Sequence, residues 1–256
     1  MNVHKKLLAV ISLAICAALA APAAAHANGT GDDPRLTKDT LTLEDAKAKA
    51  LEDARYEAWL GSKTGRPPAR GTSRGRVRPT VVDAPYYYIW TPSHAQERSY
   101  WCGPATCQVI DDYWGTMASQ LTIANYLGTT TGGTDFSRVD DALRYFTGKS
   151  YYYYGPLANE SAFMDRVNYG IVSKHYPMAT DVKIYGSVWP NYVYDHAGHI
   201  IPMEAYDGRY GTIRINDPYN EASWRSGGGS TFGHRTYGNG IIWNGVANHF
   251  RRAVIS

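Results

Sequence analysis

Cys102 opens the run Cys102-Gly103-Pro104-Ala105-Thr106; Gln96 stands six positions before it, and an isolated Gly198-His199 lies far downstream. These are the residue types of a thiol nucleophile, an amide donor and a base. Proline is tolerated in the first turn of a helix, where its missing N–H has no intrahelical partner to lose, so the run predicts a helix from about Pro104 to Trp114 with Cys102 at its N-terminus. The unpaired N–H groups and the dipole at that end favour the thiolate, the reactive form of the side chain, and a neighbouring imidazolium favours it further. A single cysteine in a globular chain is more often a small buried hydrophobe. What surrounds this one shifts the balance towards chemistry.

His199 is followed by the apolar run Ile200-Ile201-Pro202-Met203, ending at Tyr206-Asp207-Gly208, and a second run, Gly211-Thr212-Ile213-Arg214-Ile215, delivers Asn216-Asp217-Pro218. Two strands joined by a turn fit that pattern. With His199 at the start of one and Asp217 at the end of the other, antiparallel pairing brings both side chains to the same edge of the sheet. An imidazole and a carboxylate that fixes its tautomer can then meet, as nucleophilic catalysis by a base and its orienting acid requires.

On Gln96-x5-Cys102-Gly-Pro-Ala, Gly198-His199 before an apolar strand, and Asn216-Asp217-Pro218, the chain resembles the bacteriocin-processing-like cysteine peptidases, cysteine peptidase family thirty-nine and its wider relatives. The resemblance spans about residues 85 to 220 and implies a papain-like α+β fold. It also implies roles: Gln96 as the side-chain donor of the oxyanion hole, Cys102 as nucleophile, His199 as general base and Asp217 as its orienter. Family members that process secretion leaders are typically domains of membrane transporters. This chain shows no transporter segments, so leader cleavage is not implied.

The start of the chain points outside the cell. His4-Lys5-Lys6 is a basic opening, Leu7 through Ala21 is apolar, and Ala25-His26-Ala27 is a small-x-small cleavage site, which together read as a secretory signal peptide over 1–27. No later stretch approaches the roughly 20 apolar residues that a bilayer span needs, so the mature chain is expected to be secreted without a transmembrane anchor. Residues 28–80 form a second region. Thr42-Leu43-Glu44-Asp45 resembles a capping box, Leu43, Ala46, Ala50, Ala54 and Ala58 share one helical face, and Gly61 is a stop. From Lys63 to Pro79 the composition turns to Gly, Pro, Ser and five arginines (Arg66, Arg70, Arg74, Arg76, Arg78), a basic flexible linker. As a solvated tether it needs no partner; as a functional segment it would be a processing site releasing a pro-segment or a contact with an anionic cell-wall polymer. A net charge of +3 over 256 residues gives nucleic-acid binding little support.

The remainder, 81–256, is read as one peptidase domain. Tyr86-Tyr87-Tyr88-Ile89-Trp90 suggests a strand leading to the Gln96 loop. Leu121 to Leu127, Val139 to Phe146 and Phe163 to Tyr169 suggest three more helices before the chain turns to β structure. Helices first and strands afterwards indicate a helical lobe and an antiparallel lobe with the site between them. Once the signal is removed the cysteines are Cys102 and Cys107. Five positions apart on one helix, their Cα atoms stand about 8 Å apart, beyond the roughly 7 Å a disulfide tolerates. Cys102 is therefore expected to stay free and Cys107 to pack in the core. The chain's 21 tyrosines, Tyr151-Tyr152-Tyr153-Tyr154 among them, read as packing, and Ser226 to Gly233 as a mobile glycine-rich loop bordering the cleft.

His196-x-x-His199 beside Asp195 raises a metal pair, but HExxH and a third ligand at recognisable spacing are missing; His196 is taken for a loop histidine. His94, His175, His234 and His249 have no motif around them and are read as structural or surface groups. The expected activity is hydrolysis of peptide or amide bonds in a peptide or protein substrate through a Cys102 thioester, with no cofactor. Transfer of the same acyl group to an amine, or a silent binding module of the same fold, are the alternatives.

Overall fold

The computed structural model describes residues 84–256, so the signal peptide, the 42–61 helix and the basic linker lie outside the described residues. A short strand β1 (Tyr86–Tyr88) precedes a helical stretch: α1 (Cys102–Tyr113), α2 (Gln120–Leu127), a 3₁₀ turn (Phe136–Arg138) running into α3 (Val139–Thr147) and, after β2 (Tyr154–Pro156), α4 (Glu160–Val167). Strands then dominate: β3 (Met178–Ile184), β4 (His196–Asp207), β5 (Thr212–Asp217), a single helical turn α5 (Glu221–Trp224), β6 (Gly233–Gly238), helix α6 (Asn239–Asn248) and β7 (Ala253–Ile255). This is the α+β order the sequence predicts.

One seven-stranded sheet runs β2-β7-β3-β4-β5-β6, with β1 added antiparallel to the far end of β4. β4 is the central strand. Successive residues along it are buried, Ile200, Ile201, Met203 and Ala205 among them, which means cover on both faces rather than the alternation of a half-exposed strand. Helix α1 is itself buried from Cys102 to Asp111, and Thr106 fastens it to the strand by donating its hydroxyl to the Ile200 carbonyl at 2.9 Å. Helix α6 approaches β3 closely at Gly245, where a Cβ would come within 2.8 Å of Trp189 and 3.0 Å of Val182.

Several boundaries differ from the sequence reading. Helix α1 begins at Cys102 itself, with Trp101 as its N-cap residue. β4 begins at His196, three residues before His199, so His196 is a buried strand residue and not a loop histidine. Its flanking Asp195 and Gly198 hid that extension, because both are strand-poor. The tyrosine run packs as expected: Tyr152 and Tyr154 are buried, and Tyr151 stacks on Tyr176 with ring centroids 4.7 Å apart.

Ser226 to Gly233 was expected to be mobile, yet it is tied down at several points. The N–H of Gly229 donates to Glu221 at 2.7 Å, the Ala222 N–H donates to the Gly229 carbonyl, and the Tyr194 hydroxyl donates to the Ser226 carbonyl. A Cβ on Gly229 would overlap the Asn191 carbonyl oxygen at 1.7 Å, so here glycine serves close backbone approach.

Candidate active site

Three side chains distant in sequence meet where the N-terminus of α1 abuts the sheet. Cys102, 4% exposed, opens α1, whose first turn carries no acidic residue to oppose a thiolate. His199, 5% exposed, lies on β4 opposite Val182 of β3. Asp217, fully buried, is the last residue of β5. The His199 Nε2 is 2.8 Å from Asp217 Oδ1, and the imidazole also hydrogen-bonds to Cys102. With Nε2 engaged by the carboxylate, Nδ1 is the ring nitrogen left for the sulfur. The sheet register makes this convergence: β4 and β5 run antiparallel from Met203↔Ile215 to Asp207↔Thr212, which brings the start of one beside the end of the other.

Burial by itself would push the His199 pKa down, but the charge and hydrogen bond of Asp217, with a further contribution from Cys102, outweigh it and raise the imidazole to about 10. The pair therefore favours an imidazolium at neutral pH. The rings of Tyr192 and Tyr219 stand edge-on to the imidazole, at centroid distances of 6.4 and 5.8 Å. Asp217 has further donors: the Tyr219 N–H reaches Oδ1 at 2.9 Å and the Tyr192 hydroxyl reaches Oδ2 at 2.5 Å.

Gln96 is buried on the loop that leads into α1. Its backbone N–H donates to the Pro218 carbonyl at 2.9 Å, one residue beyond Asp217, and its side-chain amide donates to the Arg98 carbonyl at 2.7 Å. The same Arg98 carbonyl accepts the Trp101 N–H, so Gln96 is folded onto the turn from which Cys102 emerges. One of its two amide N–H groups is committed there and the other is available to a ligand.

Among the described residues Cys102 and Cys107 are both buried and neither is in a disulfide. Burial, then the charges of Asp111 and Asp140, push the Cys107 thiol far above its ordinary range, which makes it an inert core residue as expected. His196 and His199 do not point at a common centre. The His196 Nε2 is 2.9 Å from Glu221 Oε1, while Asp195 accepts the Gly186 N–H. His249 is buried beside Asp181 at 3.5 Å, and His234 is bonded to the buried Glu204 at 2.6 Å, consistent with structural roles.

The sequence reading passed over Glu221 and Tyr219 and took Tyr192, with Tyr194, for packing; all of Glu221, Tyr192 and Tyr219 lie around this centre. For Glu221 the signal was the repeated spacing: an acid four residues after Asp217, matching a histidine three residues before His199.

Among known families, the model described as Peptidase_C39 like family matches residues 83–243. A search of curated proteins found no match. Solved structures to which the chain is similar include the peptidase domain of Streptococcus ComA, 14% identical, covering 66% of this chain and 96% of that one at a TM-score of 0.43. Xylellain, a cysteine protease from Xylella fastidiosa, is 11% identical over 73% of this chain and 93% of its own, TM-score 0.45. A double glycine motif protease from an AMS/PCAT transporter, solved with its leader peptide, is 12% identical over 66% and 92%, TM-score 0.41. Likenesses of that size say nothing about this chain's substrate. Among the described residues, no helix is long and apolar enough to cross a membrane.

Proposed function

We propose, for a chain that belongs to the Peptidase_C39 like family and is a cysteine peptidase, that Cys102 is the nucleophile, His199 its acid–base partner, Asp217 the orienting carboxylate and Gln96 an oxyanion donor. The observation that carries this reading is the convergence of Cys102, His199 and Asp217, with the imidazole between sulfur and carboxylate. His199 takes the thiol proton through Nδ1, and the thiolate adds to a peptide carbonyl. The oxyanion is held by the free amide N–H of Gln96 and the Cys102 backbone N–H, which lies at a helix start and so has no intrahelical acceptor. Collapse of the tetrahedral adduct breaks the C–N bond as His199 returns its proton to the leaving amine. Water, deprotonated by His199, then cleaves the thioester and restores the thiol.

The substrate class is a peptide or protein. The same reading takes the basic start, the apolar run and Ala25-His26-Ala27 as a signal that exports the enzyme, so protein recovered from the medium should begin near Asn28. Cys102→Ala should abolish cleavage of a peptide library while leaving the unfolding midpoint unchanged, and a thiol-directed probe should label Cys102 in preference to Cys107. Full turnover by Cys102→Ala rejects the assignment. Product masses with an added amine would reveal acyl transfer in place of hydrolysis.

A further inference from the structure

We propose that Tyr192 is a positioning residue for the reaction, its phenol locking the Asp217 carboxylate in the rotation that presents Oδ1 to His199. The proposal rests on the reading of Asp217 as the orienting group. Both Asp217 oxygens are occupied: Oδ1 by His199 Nε2 at 2.8 Å and the Tyr219 N–H at 2.9 Å, Oδ2 by the Tyr192 hydroxyl at 2.5 Å. The terminal torsion of an aspartate is broad and roughly two-fold, so a carboxylate held at one oxygen alone can turn out of the imidazole plane. A donor on the second oxygen removes that freedom. Burial, and then the charge of Asp217, hold the phenol's pKa well above the ordinary tyrosine value, so it remains a donor throughout the working pH range.

The phenol arrives from a fixed support. Tyr192 lies between β3 and β4 and is buried; its own N–H donates to the Trp189 carbonyl at 3.2 Å, and Trp189 is buried against Tyr237, centroids 5.1 Å apart. The next two backbone N–H groups, of Val193 and Tyr194, donate to the two oxygens of Glu221 at 2.8 and 3.0 Å. A carboxylate on the segment that follows β5 thus fixes the loop that in turn fixes the Asp217 carboxylate on β5. Because His199 must face the sulfur through two successive proton transfers, an imidazole held by a rotationally fixed partner spends more of its time in the productive geometry.

The test is Tyr192→Phe, which removes one oxygen and keeps the ring. The expected result, per active site titrated with a thiol reagent, is a kcat about tenfold lower with KM unchanged, and a comparable slowing of Cys102 alkylation at neutral pH, the size of loss for a hydrogen bond to a charged acceptor. A double-mutant cycle with Asp217→Asn supplies the readout that a packing role would not move: Tyr192→Phe should have no further effect once the carboxylate is gone. Wild-type kcat in Tyr192→Phe, or the same tenfold loss in both backgrounds, overturns the proposal. Wild-type activity in Asp217→Asn alone would instead remove the assignment of Asp217 on which it stands.

Discussion

Strand β4 carries two buried histidines three residues apart, and each meets a buried carboxylate delivered by the chain at or just after the end of β5: His199 with Asp217 at 2.8 Å and His196 with Glu221 at 2.9 Å. As isolated pairs they are nearly indistinguishable. The third partner separates them. His199 turns its remaining nitrogen to the Cys102 sulfur, whereas the second carboxylate, Glu221, collects the backbone N–H groups of Val193, Tyr194 and Gly229 and so fastens two loops. A histidine–carboxylate couple is thus a way of satisfying buried polar groups before it is a sign of catalysis. It becomes chemical only where a nucleophile completes it.

That contrast can be broken most directly by comparing the two couples by mutation. His199→Ala should lower kcat/KM by at least about 10³-fold, the scale of a lost acid–base group, and should also cost stability at neutral pH, because it leaves the buried Asp217 charge without its imidazolium. Glu221→Gln should separate the two effects, lowering stability in urea by about 3 kcal/mol because the buried charge is lost and one of the two oxygens that accept from Val193, Tyr194, Gly229 and His196 becomes a donor, while turnover per titrated site stays within about tenfold of wild type. Equal effects on activity would mean that both couples serve the reaction. Next in size, Gln96→Ala should reduce kcat by roughly 10²–10³, the usual cost of an oxyanion donor, with KM little changed. A loss confined to stability would mean that Gln96 serves only the turn at Arg98.

The smallest effect sharpens the comparison through pH. The folded His199 pKa is raised from 6.5 to about 10, so the stability contributed by its charge is fully present below about 6.5 and is lost as pH rises towards about 10. Glu221 moves the other way. Burial opposes its charge, but the donors from Gly229, His196, Val193 and Tyr194 outweigh that cost and lower its pKa. Its contribution is present above its ordinary value of 4.5 and is lost as pH falls through the folded value. Unfolding followed across pH should therefore show Glu221→Gln losing its penalty in acid and His199→Ala losing any penalty in alkali. The wild-type alkaline limb of kcat/KM should lie near 10, well above the ordinary imidazole value, and should move down in Asp217→Asn.

The residues that were legible in the sequence share one property: each sits at the end of an element whose existence and direction can be read locally. Cys102 precedes a proline-initiated helix, His199 precedes an apolar run, and Asp217 closes one. A hairpin has little freedom in how it brings such ends together, so the couple followed from the strands alone. Gln96 was placed by resemblance, and its loop is held by tertiary bonds to Pro218 and Gln120 that no periodicity announces. The strand assignment for His196 failed because burial on both faces, and not local propensity, extends β4 backwards. Glu221 was missed, Tyr192 taken for packing and the pinned glycine segment taken for mobile for a related reason, since their partners lie on separate loops.

The sequence by itself determined the chemistry available to this protein: a thiol at a helix start, an imidazole and a carboxylate on neighbouring strands, and an amide on the approach to the helix. That His196 would join Glu221 in a buried couple of its own, and which tyrosine would hold the orienting carboxylate, was decided only by the folded chain. Hydrogen bonds between separate loops depend on close packing across the sheet, and no local pattern of residues encodes that distance.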